Sequence, residues 1–145
     1  MKITKFEDIE AWQLGRDLSQ HIYRAVKGAD FSKDYGLKDQ ICRASVSVMS
    51  NIAEGFNAGS NAEFIRFLGY AQRSCTEIQS QLYIALDQDY IAKDIFETIF
   101  ELSDKTASKI GAFIKYLKMR NEERRTRNEE RRTRNEERRT RNEEQ

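Results

Sequence analysis

The 145-residue chain contains no proline, two cysteines and one histidine. Without proline, nothing in the chain forces a helix to break, and long uninterrupted helices are favoured. Cys42 and Cys75 are too far apart for a metal-type spacing and read as small buried apolar residues in a reducing compartment. A lone His21, with Leu18 three residues before it, excludes the Glu-x-x-His pairs on which a di-iron bundle depends. Asp17 lies four residues before His21, which suits a surface hydrogen bond rather than a metal site. Phosphate loops are missing as well, because neither Gly55 nor Gly59 leads into the Lys-Ser/Thr that such a loop requires. A cysteine or serine nucleophile needs a positioned base, and none is evident. No apolar run approaches ~18 residues and no charged-then-apolar leader is present. The expectation is a cytoplasmic protein that is not an enzyme and has no metal, cofactor or membrane partner.

Charge of one sign is also in short supply. Lysine and arginine total 25 against 24 aspartate and glutamate, a net +1. Residues 1–119 carry 15 basic and 16 acidic side chains, and 120–145 carry 10 arginines and 8 glutamates. A near-neutral body argues against a dedicated nucleic-acid binder, which would show a clear basic excess.

What the chain does have is helical periodicity. Phe64, Leu68, Ala71, Cys75, Ile78, Leu82 and Ala85 recur at steps of four and three, the seam of a bundle helix. Ser60 and Glu63 form a capping box at its start, and Gly55 and Gly59 suit a left-handed turn ending the helix before it. The last helix repeats the pattern in Ile95, Ile99, Leu102, Thr106, Ile110, Phe113 and Leu117. A second helix is predicted over about 37–54 on Leu37, Ile41, Ala44, Val48 and Ile52. The first is predicted from about Thr4, where "TKFE" offers another capping box, to Val26, with Leu14, Leu18, Ile22 and Ala25 inside. Short links at about 28–36, 55–60 and 87–90 make neighbours antiparallel. The expected fold is all-α: residues 1–119 as an up-down-up-down four-helix bundle, and 120–145 as a charged extension.

Several helices carry a second face. Trp12 and Tyr23 point away from the inner face of the first helix, and Tyr70 and Ile84 lie opposite the seam of the third. Such faces commonly mark subunit contacts, so self-association is expected there. Gln40, Arg43, Ser47, Ser50, Asn51 and Glu54 project onto one side of the second helix. That strip is either a solvated face, which periodicity alone favours, or a hydrogen-bonded strip at a subunit interface or along a central channel. Arg66, Tyr70 and Arg73 make a smaller stripe that could hold RNA through phosphates and base stacking, with Lys38 and Arg43 as further basic candidates. Glu77 continues the stripe and partly cancels its charge.

The strings "FEDIEAWQLGRDL", "QICRASVSVMSNIAEGF" and "SNAEFIRFLGYAQRSCTEIQSQL" together resemble the bacterial four-helix-bundle proteins encoded by intervening sequences of large-subunit ribosomal RNA genes. The resemblance covers about 1–118. It is densest at Gln40, Ile41, Arg43, Ala44, Ser47, Asn51, Ile52, Ala53, Glu54 and Gly55, with a second centre at Ser74 and Glu77. It implies a four-helix bundle and a ring-shaped homopentamer. Through a similar accessory protein of diversity-generating retroelements, it also implies work alongside nucleic acid. It brings no enzymatic reaction with it. Two functions follow as expectations: an oligomeric accessory or scaffold protein associated with RNA, or an adaptor that meets another protein.

From Arg120 the unit Arg-Asn-Glu-Glu-Arg-Arg-Thr is written three times and begun a fourth. It has no apolar residue and cannot supply a coiled-coil seam. Pairs such as Glu123–Arg127, Glu130–Arg134 and Glu137–Arg141 would support an isolated helix by about 0.2–0.5 kcal/mol each. The expected state is a solvated, fraying extension of the last helix or disorder. Counted along the chain, its glutamates interleave with its arginines, so it reads as an appendage of low functional content.

Overall fold

A computed structural model describes residues 2–144, and among these there are four α-helices and no strand. Helix α1 spans Glu10–Ala25, α2 Tyr35–Phe56, α3 Asn61–Asp87 and α4 Lys93–Glu143. Single 3-10 turns at Phe6–Asp8 and Phe31–Lys33 precede α1 and α2. Helix α1 packs on α2 and α4, and α3 packs on the same two from the other side. With short links, that adjacency is the up-down-up-down four-helix bundle expected from the periodicity.

The core follows the seams closely. Leu18 and Ile22 of α1, Ile41, Val48 and Ile52 of α2, Leu68, Ile78 and Leu82 of α3, and Ile99 and Ile110 of α4 are buried almost completely. Each contributes about 1.5–3 kcal/mol relative to an exposed side chain.

Four local details differ from the sequence reading. Helix α1 begins at Glu10, not near Thr4. The Thr4 hydroxyl donates to Asp8 Oδ2 at 3.2 Å. Ile9 then adopts an extended conformation that sends its side chain into the core, which interrupts the helix there. The inner face of α1 is Ala11, Gly15, Leu18 and Ile22, with Leu14 only half-buried. A Cβ on Gly15 would stand 3.1 Å from Val48 Cγ1, so the small residue lets α1 and α2 approach. Gly55 is a helical residue of α2, not part of a left-handed turn. A Cβ there would lie 2.8 Å from both Phe64 Cδ2 and Phe67 Cβ, so its role is close passage of α3. The left-handed position in that link is Gly59 alone, at φ +86°.

On α4, Ile95 is 42% exposed and Ser103 takes an inner position instead, donating to the Cys75 carbonyl at 3.0 Å. The fourth detail is the pairing within the repeat. Helix α4 continues through it to Glu143, and every residue from Glu122 to Glu144 is exposed. Its last recorded hydrogen bond to the bundle joins Asn121 Oδ1 to Asn61 Nδ2 at 3.2 Å. The ion pairs within the repeat are Arg125–Glu129 and Arg132–Glu136, each 3.4 Å, rather than the Glu123–Arg127 type. Exposed pairs are worth only a few tenths of a kcal/mol, too little to fix one pairing pattern.

Both links at one end of the bundle are fastened together. Helix α3 ends in a Schellman turn, with Tyr90 N–H on the Ala85 carbonyl at 2.8 Å and Asp89 N–H on that of Leu86 at 3.0 Å. Asp89 holds the left-handed position at φ 58°. Tyr90 stacks on Phe31 of the α1–α2 link, ring centroids 5.3 Å apart.

Candidate functional site

The polar strip of α2 faces α3. Ser47 Oγ accepts from Asn51 Nδ2 at 2.9 Å and lies 2.9 Å from Ser74 Oγ, a hydroxyl also 3.2 Å from the Tyr70 carbonyl. Asn51 Nδ2 reaches the Ser47 carbonyl as well, at 2.8 Å. Thus the two densest stretches of the motif, one around Ser47 and the other around Ser74, meet in one hydrogen-bonded junction. Seven residues along α3, Gln81 lies two turns on in the same stripe. It is 5% exposed, and its Nε2 donates to Glu77 Oε1 at 3.3 Å. Its Oε1 is the one buried side-chain oxygen or nitrogen without a partner among the described residues. Antiparallel register puts Gln40 at the level of Gln81, because each lies seven residues from the Ser47–Ser74 contact.

Outside this junction the face turns apolar and cationic. Tyr70 is 38% exposed and Ile84 48%. The guanidiniums of Arg66 and Arg73 each lie 5.9 Å from the Tyr70 ring centroid. Arg66 also pairs with Glu63, Nη2 to Oε2 at 2.7 Å. The aromatic ring needed for base stacking is therefore already flanked by two cations, one of them neutralised. Arg43 and Glu54 are exposed at the rim, and Arg43 Nε pairs with Asp39 at 3.1 Å.

Not all candidates come together. Lys38 lies on the α1 side of α2, where it borders a cavity with Tyr23, Tyr35, Gly36, Asp39 and Cys42. From Lys38 to Asn51, beside Tyr70 in register, the helix rises about 20 Å at 1.5 Å per residue. Trp12 is half-buried, edge-on to Phe6 with centroids 5.2 Å apart, while Tyr23 is 45% exposed. The periodicity did not single out Gln81, although its seven-residue spacing from Ser74 carried the signal. It also missed Tyr83, whose exposed ring sits 5.0 Å from Phe96 and 5.8 Å from Phe100 on the α3–α4 side.

Neither cysteine is a poised nucleophile. Burial pushes the Cys75 thiol up to about 12, against a smaller lowering by a hydrogen bond from Ser103. Desolvation raises Cys42 too. His21 Nδ1 is 2.9 Å from the Asp17 carbonyl and 3.5 Å from its carboxylate, as the i, i+4 spacing suggested. Among the described residues no cluster of three or more His, Cys, Asp or Glu could hold a metal ion. Among the described residues no helix is long and apolar enough to cross a membrane.

Comparison with known proteins bears on this same face. A family model described as 23S rRNA-intervening sequence protein matches residues 7–112, which include the whole Ser47–Ser74 junction and Gln81. The chain belongs to that family. A crystal structure of a protein of unknown function from the S23 ribosomal protein family of Bacteroides thetaiotaomicron is 24% identical. It superposes with a TM-score of 0.67 over 72% of this chain and 95% of its own. At that identity the likeness concerns the fold. No curated protein matches.

Proposed function

We propose that this member of the 23S rRNA-intervening sequence protein family is a non-catalytic scaffold. It assembles with copies of itself through the outer α2–α3 face and serves, in the cytoplasm, as an accessory protein to RNA. The observation that carries the reading is Gln81 Oε1, buried and unpartnered beside exposed Tyr70 and Ile84. A buried oxygen left unsatisfied costs about 1–3 kcal/mol; because this chain already covers it, a donor from a neighbouring subunit would recover it once the Gln81 side chain turns outward. Exposed Tyr70 and Ile84 are the aromatic and apolar groups that a subunit interface buries at its core. The family resemblance sets the expected number of copies at five. The RNA half of the reading draws on the family and on the arginines of α3 and α4.

A second reading has its own support. The body has one more acidic than basic side chain, and Arg43 and Arg66 are each paired with a carboxylate. These features suit a protein partner on the same face. Sedimentation of the full chain, alone and with RNA, separates the two readings. The scaffold reading expects a multimer that co-sediments with RNA at low salt. A multimer or monomer that ignores RNA and captures one stoichiometric protein favours the adaptor.

A further inference from the structure

Helical folding of the repeat changes what its charges do. Written along the chain, arginine and glutamate alternate. Wound at 3.6 residues per turn, the arginines at the first and fifth place of each unit fall on one line. They run from Arg120 through Arg124 and Arg127 to Arg141 in steps of four and three. Because the repeat is seven residues long, the line drifts only about 20° per unit and stays continuous. It is about 32 Å long at 1.5 Å per residue. The remaining column, Arg125, Arg132 and Arg139, turns the other way; Arg125 and Arg132 pair with Glu129 and Glu136 at 3.4 Å, and Arg139 has no ion pair among the described residues. Arginines on the ladder have no ion pair among the described residues; Arg120 instead donates to the Tyr116 hydroxyl at 2.9 Å. The two columns thus differ in this structure: two arginines of the one are paired and none of the ladder is, although Glu123, Glu130 and Glu137 lie four residues before Arg127, Arg134 and Arg141 along its edge.

We propose that the arginine ladder of α4 docks along a nucleic-acid phosphate backbone. This deepens the RNA half of the proposed function, and rests on it, by moving the contact from the bundle to the extension. Duplex DNA carries a phosphate about every 3.4 Å of axis on each strand, so the ladder runs past roughly nine phosphates of one strand. Guanidiniums grip phosphate oxygens bidentately. Of the glutamates, those at the third place of each unit (Glu122, Glu129, Glu136) stand across a helix about 10–12 Å wide, farther than the screening length of about 8 Å at 0.15 M salt; those at the fourth place (Glu123, Glu130, Glu137) border one edge of the ladder, and its other edge carries no carboxylate. A second copy of the extension is the poorer occupant. Each extension has 10 arginines and 8 glutamates, so two of them repel, and a twofold pairing would set ladder against ladder.

The test compares two triple variants of the full chain with the same change of charge. Arg124→Gln, Arg131→Gln and Arg138→Gln remove three of the seven ladder arginines; Arg125→Gln, Arg132→Gln and Arg139→Gln remove the column that holds the two paired ones. Binding to labelled duplex RNA, single-stranded RNA and duplex DNA is read by anisotropy between about 50 and about 200 mM salt. The ladder triple is expected to lose at least tenfold in affinity and to flatten the log–log salt slope by about 2–3. The paired-column triple should lose less than threefold, and Lys at the three ladder positions should restore the slope. Equal losses in both triples, or none in either, overturn the ladder while leaving RNA association standing. A ladder triple that changes the multimer but not the affinity assigns the arginines to self-association and overturns it too. If the unaltered chain binds no probe at about 50 mM salt, the RNA half of the proposed function fails together with it.

Discussion

Tyr90 donates its phenol to Asp34 Oδ2 at 3.0 Å, 56 positions apart in the chain, while Asp34 Oδ1 caps α2 on the Leu37 N–H at 3.1 Å. One carboxylate thereby starts a helix and ties the α1–α2 link to the α3–α4 link. The hydrogen bond to Asp34 raises the Tyr90 phenol above its usual value, with burial and the charges of Asp34 and Asp30 adding to it. A raised folded-state value means that the stabilisation is complete below about pH 10, the unfolded value. It is lost as pH rises through the folded value. Tyr90→Phe should be less stable than the parent at neutral pH, and the gap should close under alkaline conditions. Paired thermal melts from neutral pH upward check this. Asp34→Ala, which loses the cap as well, should cost about 1–2 kcal/mol.

Gly55→Ala should destabilise the bundle by about 1–3 kcal/mol, because its Cβ would overlap Phe64 and Phe67. Denaturant unfolding of the two proteins measures it. Asp89→Gly should act in the opposite direction. It relieves a left-handed aspartate and should gain up to about 1 kcal/mol.

These two sites mark how much the sequence could disclose. The seams of α2 and α3 were readable residue by residue, because a buried stripe repeats and each of its members repeats the message. Gly55 was read as a turn residue, because a lone glycine before another glycine looks the same whether it ends a helix or admits a neighbouring one. Only the approach of Phe64 and Phe67 separates the cases. Asp89 gave no sign at all, since its conformation is imposed by the Schellman turn around it. In the extension, charges counted along the line of the chain cancel, although the helical period already gathers the arginines at the first and fifth places onto one line. At the α2–α3 face, the motif residues Ser47 and Ser74 were named, but that they share a hydrogen bond, and that Gln81 continues the stripe, depends on the register between two helices.

The thiols provide a probe of the core that is independent of the bundle's assembly. Cys75 is fully buried and its thiol is held near 12, so it should resist alkylation at about pH 8 until the protein unfolds. Cys42, half-buried, should react slowly in the folded state. Mass-resolved labelling distinguishes one modified site from two. Rapid native labelling of Cys75 would contradict the α3–α4 packing described.

Gln81→Leu splits the two roles of that residue. Removing the unpartnered oxygen should leave the subunit no less stable, because the cost of a buried unsatisfied group goes with it. If a neighbouring copy satisfies Oε1, the same change should weaken assembly at least tenfold. Melting temperature at high dilution and dissociation of the assembly report the two effects separately.

Self-association through the α2–α3 face is the claim on which the functional account turns. The most direct measurement is the mass of the full chain in solution by sedimentation equilibrium, with Ile84→Glu as its companion. The expected result is a defined multimer of the 17.0 kDa chain, five copies by the family resemblance, which the exposed-face charge of Ile84→Glu dissociates into folded subunits. A parent protein that stays at 17.0 kDa at every concentration would contradict the account, and so would a multimer that Ile84→Glu and Gln81→Leu both leave intact.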